Sequence, residues 1–270
     1  MRGKTLLVTG GGNGIGREVV LELLRRGASV AAVDLRAESL EETAALAGES
    51  RQRVATFAVD ITDREAVEAL PAQVADVLGP IDGVVNVAGI IQPFVPLAEL
   101  DRAVMERVVD VNLWGTINVL QATLPGLLDR PEGHVANVSS MGGFLPVPGQ
   151  TVYGASKAAV KLLTEALWAE LRDTHVGVTV VMPGAIATDI AANSGVSVPG
   201  MDDAAEASTP MTSAPDAARA IVDAIESGKL HLYVGRDSWS MGLLVRAAPQ
   251  FAVRFIQRQM KGLLEAATPT

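Results

Sequence analysis

Tyr153 and Lys157 stand four residues apart in Thr151-Val-Tyr153-Gly-Ala-Ser-Lys157. On a helix that spacing stacks them on one face, one turn apart, so that an ammonium can sit near a phenol. A free tyrosine titrates near about 10, and a neighbouring cation favours phenolate, which brings the group toward use as a general base at neutral pH. The same spacing also occurs on solvated helix faces, so it needs company. Ser140 supplies it, at the end of His134-Val-Ala-Asn137-Val-Ser139-Ser140. Its hydroxyl would stand at the carboxyl end of a strand, where open α/β sheets place their ligand crevice, and could donate to a substrate oxygen.

A second constellation lies at the amino end. Lys4-Thr-Leu-Leu-Val-Thr9-Gly10-Gly-Gly-Asn13-Gly14-Ile15-Gly16 reads as an apolar strand, a glycine-rich turn and the start of a helix. Glycine lets the backbone approach a pyrophosphate, and a helix amino terminus aims unpaired N–H groups at the anion. Asp34 follows the next apolar run, Val30-Ala-Ala-Val33. A carboxylate about 20 residues beyond the turn can accept both hydroxyls of an adenosine ribose and repel a 2′-phosphate, which favours NAD over NADP. Two readings temper this. Asp also caps helices, and Arg36 could accept the phosphate instead.

The elements that must position these residues alternate. Runs of strand length at Thr5–Thr9, Val30–Val33, Val54–Val59, Val84–Val87, His134–Val138 and Val178–Met182 are separated by amphipathic stretches at Gly14–Arg26, Arg64–Leu78, Ala103–Leu128 and Val152–Leu171. Continuous apolar strands divided by helices predict a doubly wound parallel sheet of about seven strands, buried on both faces, in an α/β fold of Rossmann type. Residues 190–215, with Pro199, Pro210 and Pro215, read as a mobile loop over the substrate. After a short strand at His231–Val234, residues 238–264 read as two short amphipathic helices divided by Pro249.

With 270 residues, one domain spanning 1–270 is expected, since open α/β sheets absorb about 250 residues around one core. A formal net charge of -9 leaves no footprint for nucleic acid. Cysteine is absent, which removes disulfides, zinc–thiolate sites and thiol nucleophiles, and three scattered histidines predict no metal cluster. No run reaches the roughly 18 apolar residues of a membrane span, and the amino end lacks a signal-peptide core, so the expected location is the cytoplasm.

The ordered set of motifs resembles the short-chain dehydrogenases/reductases over roughly residues 4–235. It comprises Thr-Gly-x-x-x-Gly-x-Gly at Thr9–Gly16, Asp60 after the third strand, Asn86-Val-Ala88-Gly89 after the fourth, Asn112, Ser140, Tyr153 with Lys157, and Pro183-Gly184 with Thr188. Val87 departs from the pattern, where the family often carries a second Asn. The resemblance implies a nicotinamide cofactor and reversible hydride transfer between a secondary alcohol and a carbonyl. It assigns proton exchange to Tyr153, lowering of the Tyr153 pKa and ribose binding to Lys157, carbonyl binding to Ser140, and a proton-relay water to Asn112. Gly10, Asn13, Gly14, Ile15 and Gly16 would line the pyrophosphate, and Asp34 with Leu35 the adenosine ribose. Asp60 and Ile61 would meet adenine, Asn86, Ala88 and Gly89 the cleft, and Pro183, Gly184, Ile186 and Thr188 the nicotinamide end. A helix-interior Asn such as Asn112 can also simply satisfy backbone groups.

The substrate lining expected from sequence is apolar: Ile91, Phe94, Val95, Met141, Phe144, Leu145, Val147, Met182 and Ile190. It points to a lipophilic alcohol or ketone. An NAD-binding sensor without turnover is the competing class, and the complete proton-transfer set argues against it. Apolar residues on more than one face of 103–128 and 152–171 predict a homotetramer or homodimer through paired helices. The tail Arg236–Leu264 carries five basic residues against Asp237. Trp239, Leu243, Leu244, Phe251 and Phe255 are expected to close over the cleft or to meet a neighbouring subunit, with docking on a membrane surface as the alternative.

Overall fold

The computed structural model describes residues 1–188, 190–196 and 211–267, and the side chains as far as Lys261. In chain order the elements are β1 (Thr5–Thr9), α1 (Gly14–Arg25), β2 (Ser29–Asp34), α2 (Ala37–Leu46), β3 (Val54–Ala58), α3 (Arg64–Leu78) and β4 (Gly83–Asn86). Then come α4 (Arg102–Val109), α5 (Gly115–Leu128), β5 (Gly133–Val138), α6 (Thr151–Glu170), β6 (Val176–Pro183), β7 (Ile186–Ala187) and α7 (Ile190–Asn193). The chain continues with β8 (Thr212–Ser213), α8 (Ala214–Glu226), β9 (His231–Val234), α9 (Arg236–Ala247) and α10 (Pro249–Ala267).

Seven strands form one parallel sheet in the order β3-β2-β1-β4-β5-β6-β9. The order reverses at β1 and β4, and a doubly wound sheet opens its ligand crevice at that switch point. Alternate strand residues feed two cores. On one face Val8, Val30, Ala32 and Val181 pack with Val19 and Leu23 of α1 and Ile221 of α8. On the other, Leu7, Ala31, Val84 and Val178 pack with Val67 and Leu70 of α3, Val119 of α5 and Leu167 of α6. Burial on both faces explains why these strands read as unbroken Val/Leu/Ala runs.

Three expectations are revised. The helix expected over 103–128 is a rod in which α4 and α5 are joined by a π-turn at Asp110–Trp114. There Gly115 N donates to the Asp110 carbonyl five residues back. The loop expected over 190–215 is ordered at both ends: α7 begins it, β8 pairs with β7, and Pro215 sits in the first turn of α8, where a missing N–H costs nothing. Its residues 197–210 lie outside the described residues. Finally, α9 and α10 do form, with Pro249 as the first residue of α10, but Trp239, Leu243, Phe251 and Phe255 are exposed and none of them lines the cleft. The tail therefore does not lid the cleft in this structure, since α9 lies against β9. No helix among the described residues is long and apolar enough to cross a membrane.

Candidate active site

A cleft of about 780 Å³ opens at the carboxyl ends of β1, β2, β4, β5 and β6. One end of it is built by the glycine turn. Gly10 has φ 68 and Gly14 φ 51, in the left-handed region, and a Cβ on Gly10 would lie 2.9 Å from Ala88 N. Gly16 packs directly on the Gly10 carbonyl, which holds the first turn of α1 against the strand end. The turn is tied down from outside. Gly11 N donates to Val33 O at 3.0 Å, Thr43 Oγ1 donates to Gly11 O at 2.9 Å, and Arg17 Nη2 donates to Gly12 O at 2.6 Å. Asn13 caps α1, its Oδ1 accepting from Gly14 N at 2.7 Å.

Asp34 closes β2 beside this turn. Its Oδ2 accepts from Gly12 N at 3.0 Å and its Oδ1 from Arg36 N at 3.2 Å. Leu35, Asp60 and Ile61 complete this end of the lining. Asp60 Oδ1 accepts from Thr62 N at 2.9 Å and from its hydroxyl at 2.8 Å, which turns the chain after β3. A residue outside the sequence reading, Asn193 of α7, reaches across the mouth. Its Oδ1 accepts from Asn13 Nδ2 at 3.2 Å and from Arg36 Nη2 at 2.8 Å.

At the other end Ser140, Tyr153 and Lys157 line the same cleft, with Ala88, Gly89, Pro183, Gly184, Ile186 and Thr188. The Ser140 hydroxyl hydrogen-bonds Tyr153 and accepts from Gly142 N at 3.0 Å. Burial pushes the Tyr153 phenol above its usual value, and the bond to Ser140 opposes that shift. Lys157 stands one helical turn further along α6. Its Nζ donates to Val138 O at 3.1 Å in the space left by the missing side chain of Gly89, and burial pushes its own pKa down to about 8.

Two expected residues lie beneath the cleft rather than on it. Asn112, fully buried on the π-turn, accepts from Ile90 N at 2.8 Å and donates to Ile90 O and Ser156 Oγ, each at 3.0 Å. Both its amide protons are used in bracing the Gly89–Ile90 backbone to α6. Asn86 is a core residue whose Nδ2 donates to Asn137 Oδ1 at 2.8 Å, and Asn137 in turn donates to Thr164 Oγ1 at 3.0 Å. This buried ladder links β4 and β5 to α6. Of the expected apolar lining, Leu145 and Met182 belong to the core, because both are fully buried, while Ile91 and Ile190 line the cleft.

Two positioning residues escaped the sequence reading. Gln92 is fully buried and caps α6: its Oε1 accepts from Val152 N and Tyr153 N, each at 2.9 Å, and its Nε2 donates to Gly149 O at 2.9 Å. Asp237 of α9 accepts from Ala185 N at 2.7 Å and covers Gly184 so closely that no Cβ fits there. A lone polar residue carries no period, so neither announces itself in sequence.

A glycine-rich turn, an aspartate at the end of β2 and a Ser/Tyr/Lys group thus line one cleft at the switch point of a Rossmann-type sheet. The family model for short chain dehydrogenase matches residues 4–197, and the chain belongs to that family. A Mycobacterium tuberculosis protein named as an oxidoreductase, SadH, is 34% identical over 254 residues, covering 90% of each chain. A second from the same organism, named as the oxidoreductase EphD, is 38% identical over 203 residues, 74% of this chain and 34% of its own. Among solved structures, levodione reductase superposes with a TM-score of 0.79 at 28% identity, covering 88% of this chain and 98% of its own. A short chain dehydrogenase from Burkholderia cenocepacia in complex with NADP gives 0.78 at 27% identity, covering 94% and 98%.

Proposed function

We propose that this chain interconverts a secondary alcohol and a ketone on a lipophilic substrate, using NAD(H) in preference to NADP(H), as one catalytic unit spanning residues 1–270. The observation that carries the reading is the meeting of Ser140, Tyr153 and Lys157 on the cleft whose far end is built from the glycine turn and Asp34. A dinucleotide fits this lining. The turn has no room for a Cβ at Gly10 or Gly16 but offers the amino terminus of α1 for a pyrophosphate. Asp34 would take the ribose hydroxyls, with Leu35, Asp60 and Ile61 around the adenosine, and Ala88, Gly89, Pro183, Gly184, Ile186 and Thr188 around the nicotinamide end.

The bound nicotinamide would supply the hydride acceptor or donor, and the chain's own residues handle the proton. Burial keeps the Tyr153 phenol protonated, so it is set to donate to a ketone oxygen and to take the proton back from an alcohol. Ser140, already bonded to Tyr153, shares the same substrate oxygen. Lys157, with its pKa brought to about 8, is mostly an ammonium at neutral pH and stabilises the phenolate that Tyr153 becomes on donating its proton. Asn112 braces the floor and leaves one lone pair of Oδ1 for a relay water. Arg36 stands beside Asp34, and the NADP in the Burkholderia relative makes the phosphorylated cofactor the rival to test. Ile91 and Ile190 support an apolar substrate end. We place the enzyme in the cytoplasm.

The test is turnover of secondary alcohols of graded hydrophobicity with NAD and with NADP. Tyr153→Phe should lower kcat by at least about 100-fold and leave cofactor binding nearly unchanged, because the ring stays and the proton goes. A Phe variant retaining a tenth of the wild-type rate refutes the mechanism.

A further inference from the structure

The tail described above leaves a surface with no task in the cleft. Along α10, Lys261, Arg254, Arg258, Phe251 and Phe255 follow one another around the helix at about 100° per residue, forming a basic stripe flanked by aromatics. Phe251 and Phe255 stack with ring centroids 6.5 Å apart, yet are 59% and 38% exposed. Buried Ala252 and half-buried Ile256 and Met260 lie on the other side of the helix. On helix α9, Trp239 is 59% exposed and Leu243 is exposed one turn on, while Arg246, one turn further, lies over the Tyr233 ring and bonds its hydroxyl. Two stacked rings and a tryptophan in water are costly to leave without an occupant.

Charge says which occupant fits. The whole chain carries -9, yet residues 236–261 hold five basic side chains against one Asp. Arg254 and Arg258 form no ion pair among the described residues, despite the acidic surroundings the composition provides. A second copy of the same stripe is a poor partner, since a twofold contact would set Arg254 and Arg258 against their own images. A surface that is anionic at the level of the guanidinium groups and apolar just below it suits both halves. We propose that α9 and α10 form a docking surface for an anionic lipid bilayer, on which the helices lie with Phe251, Phe255 and Trp239 at the headgroup boundary and Arg254 and Arg258 among the phosphates. Asp237, the second residue of α9, holds the Ala185 amide, so docking would set the nicotinamide end of the cleft at a fixed position relative to the lipid.

The experiment is flotation of the full chain with phosphatidylcholine vesicles, with and without about 30% phosphatidylglycerol, at about 0.1 M and about 1 M salt. Wild type should partition onto the anionic vesicles about 25-fold or more above the neutral ones, since each cation near an anionic surface is worth about a factor of five. The preference should collapse at high salt. Arg254→Gln with Arg258→Gln should lower anionic partitioning about 25-fold, and Phe251→Ser with Phe255→Ser should lose binding to both vesicle types. Circular dichroism checks that these exposed changes leave the fold intact. Equal binding to neutral and anionic vesicles, or an arginine variant that binds like wild type, overturns the proposal. So does a wild type that stays in solution, and if its mass by light scattering then falls in the Phe251→Ser/Phe255→Ser variant, the surface is a subunit contact.

Discussion

Replacing Gln92 by Leu should damage the catalytic helix without touching the cleft. The side chain is buried, and it alone satisfies the amides of Val152 and Tyr153 at the open end of α6, together with the Gly149 carbonyl. Leucine fills similar volume, so the loss is one of hydrogen bonds. Three groups lose their partner at about 1–3 kcal/mol each, and since the amides are only partly buried, water recovers part of this, leaving about 3–5 kcal/mol. That is a large share of the roughly 5–15 kcal/mol that holds a typical domain together. Urea unfolding with an unchanged m-value reads this directly. Tyr153 N is one of the released groups, and a shift of the phenol by about 1 Å is enough for about a 100-fold drop in kcat, while a cofactor held by the glycine turn and Asp34 should bind within about twofold of wild type. A Leu variant within about 1 kcal/mol of wild type, or one whose cofactor affinity falls as far as its kcat, would refute the capping argument.

Asp34→Ala should narrow the ratio of kcat/KM between NAD and NADP by about 10-fold or more, because each charge-assisted bond to the ribose is worth about 1.5–3 kcal/mol; an unchanged ratio would reassign Asp34 to holding Gly12. Burial pushes His134 down to about 4 from 6.5, and a base with a depressed folded pKa destabilises on acidification. Stability should therefore be full above pH 6.5 and decline between that value and about 4, by up to about 3 kcal/mol, with His134→Gln giving a flatter profile in denaturant titrations; parallel profiles would refute the assignment. Trp114 and Leu162, large and exposed on the α4–α5 rod and on α6, are expected to be covered in a homodimer or homotetramer, and a monomeric mass by light scattering at micromolar concentration refutes that.

The residues that could be read in sequence are those that obey a period or a spacing. Strands such as Thr5–Thr9 and His231–Val234 match residue for residue, the first as an apolar run buried on both faces and the second as an edge strand that buries every other residue. Tyr153 and Lys157 share a helix face as their spacing requires. What escaped are contacts made across the chain. Asn86 looks like a cleft residue by its place after β4, but its side chain turns into the core toward Asn137. Leu145 and Met182 have the composition of a substrate wall and the burial of a core. Helix α2 carries only a narrow buried face of Leu40, Thr43 and Ala44, too little to stand out as a periodic pattern. Helix α8 begins inside a segment whose prolines read as loop, although Pro215 at the first turn is compatible with a helix start. Gln92 and Asn193 act through partners at least 57 and 157 residues away, beyond any local pattern.

The π-turn between α4 and α5 acts as a phase setting between two halves of one rod. Each residue of a helix turns the chain by about 100°, so the extra residue in Asp110–Trp114 fixes the angle between the face that carries Asn112 and the face that carries Val119 and Leu127 into the core. Thr116 Oγ1 donates to the Asn112 carbonyl at 2.9 Å, which ties the π-turn to the first turn of α5. Removing one residue here would regularise the helix and, with α5 held by the core, swing all of α4 and the brace under Gly89 out of register together. The floor of the cleft and the outward apolar face with Trp114 are thus geared to one another, and insertions or deletions in this rod should be tolerated only in compensating pairs.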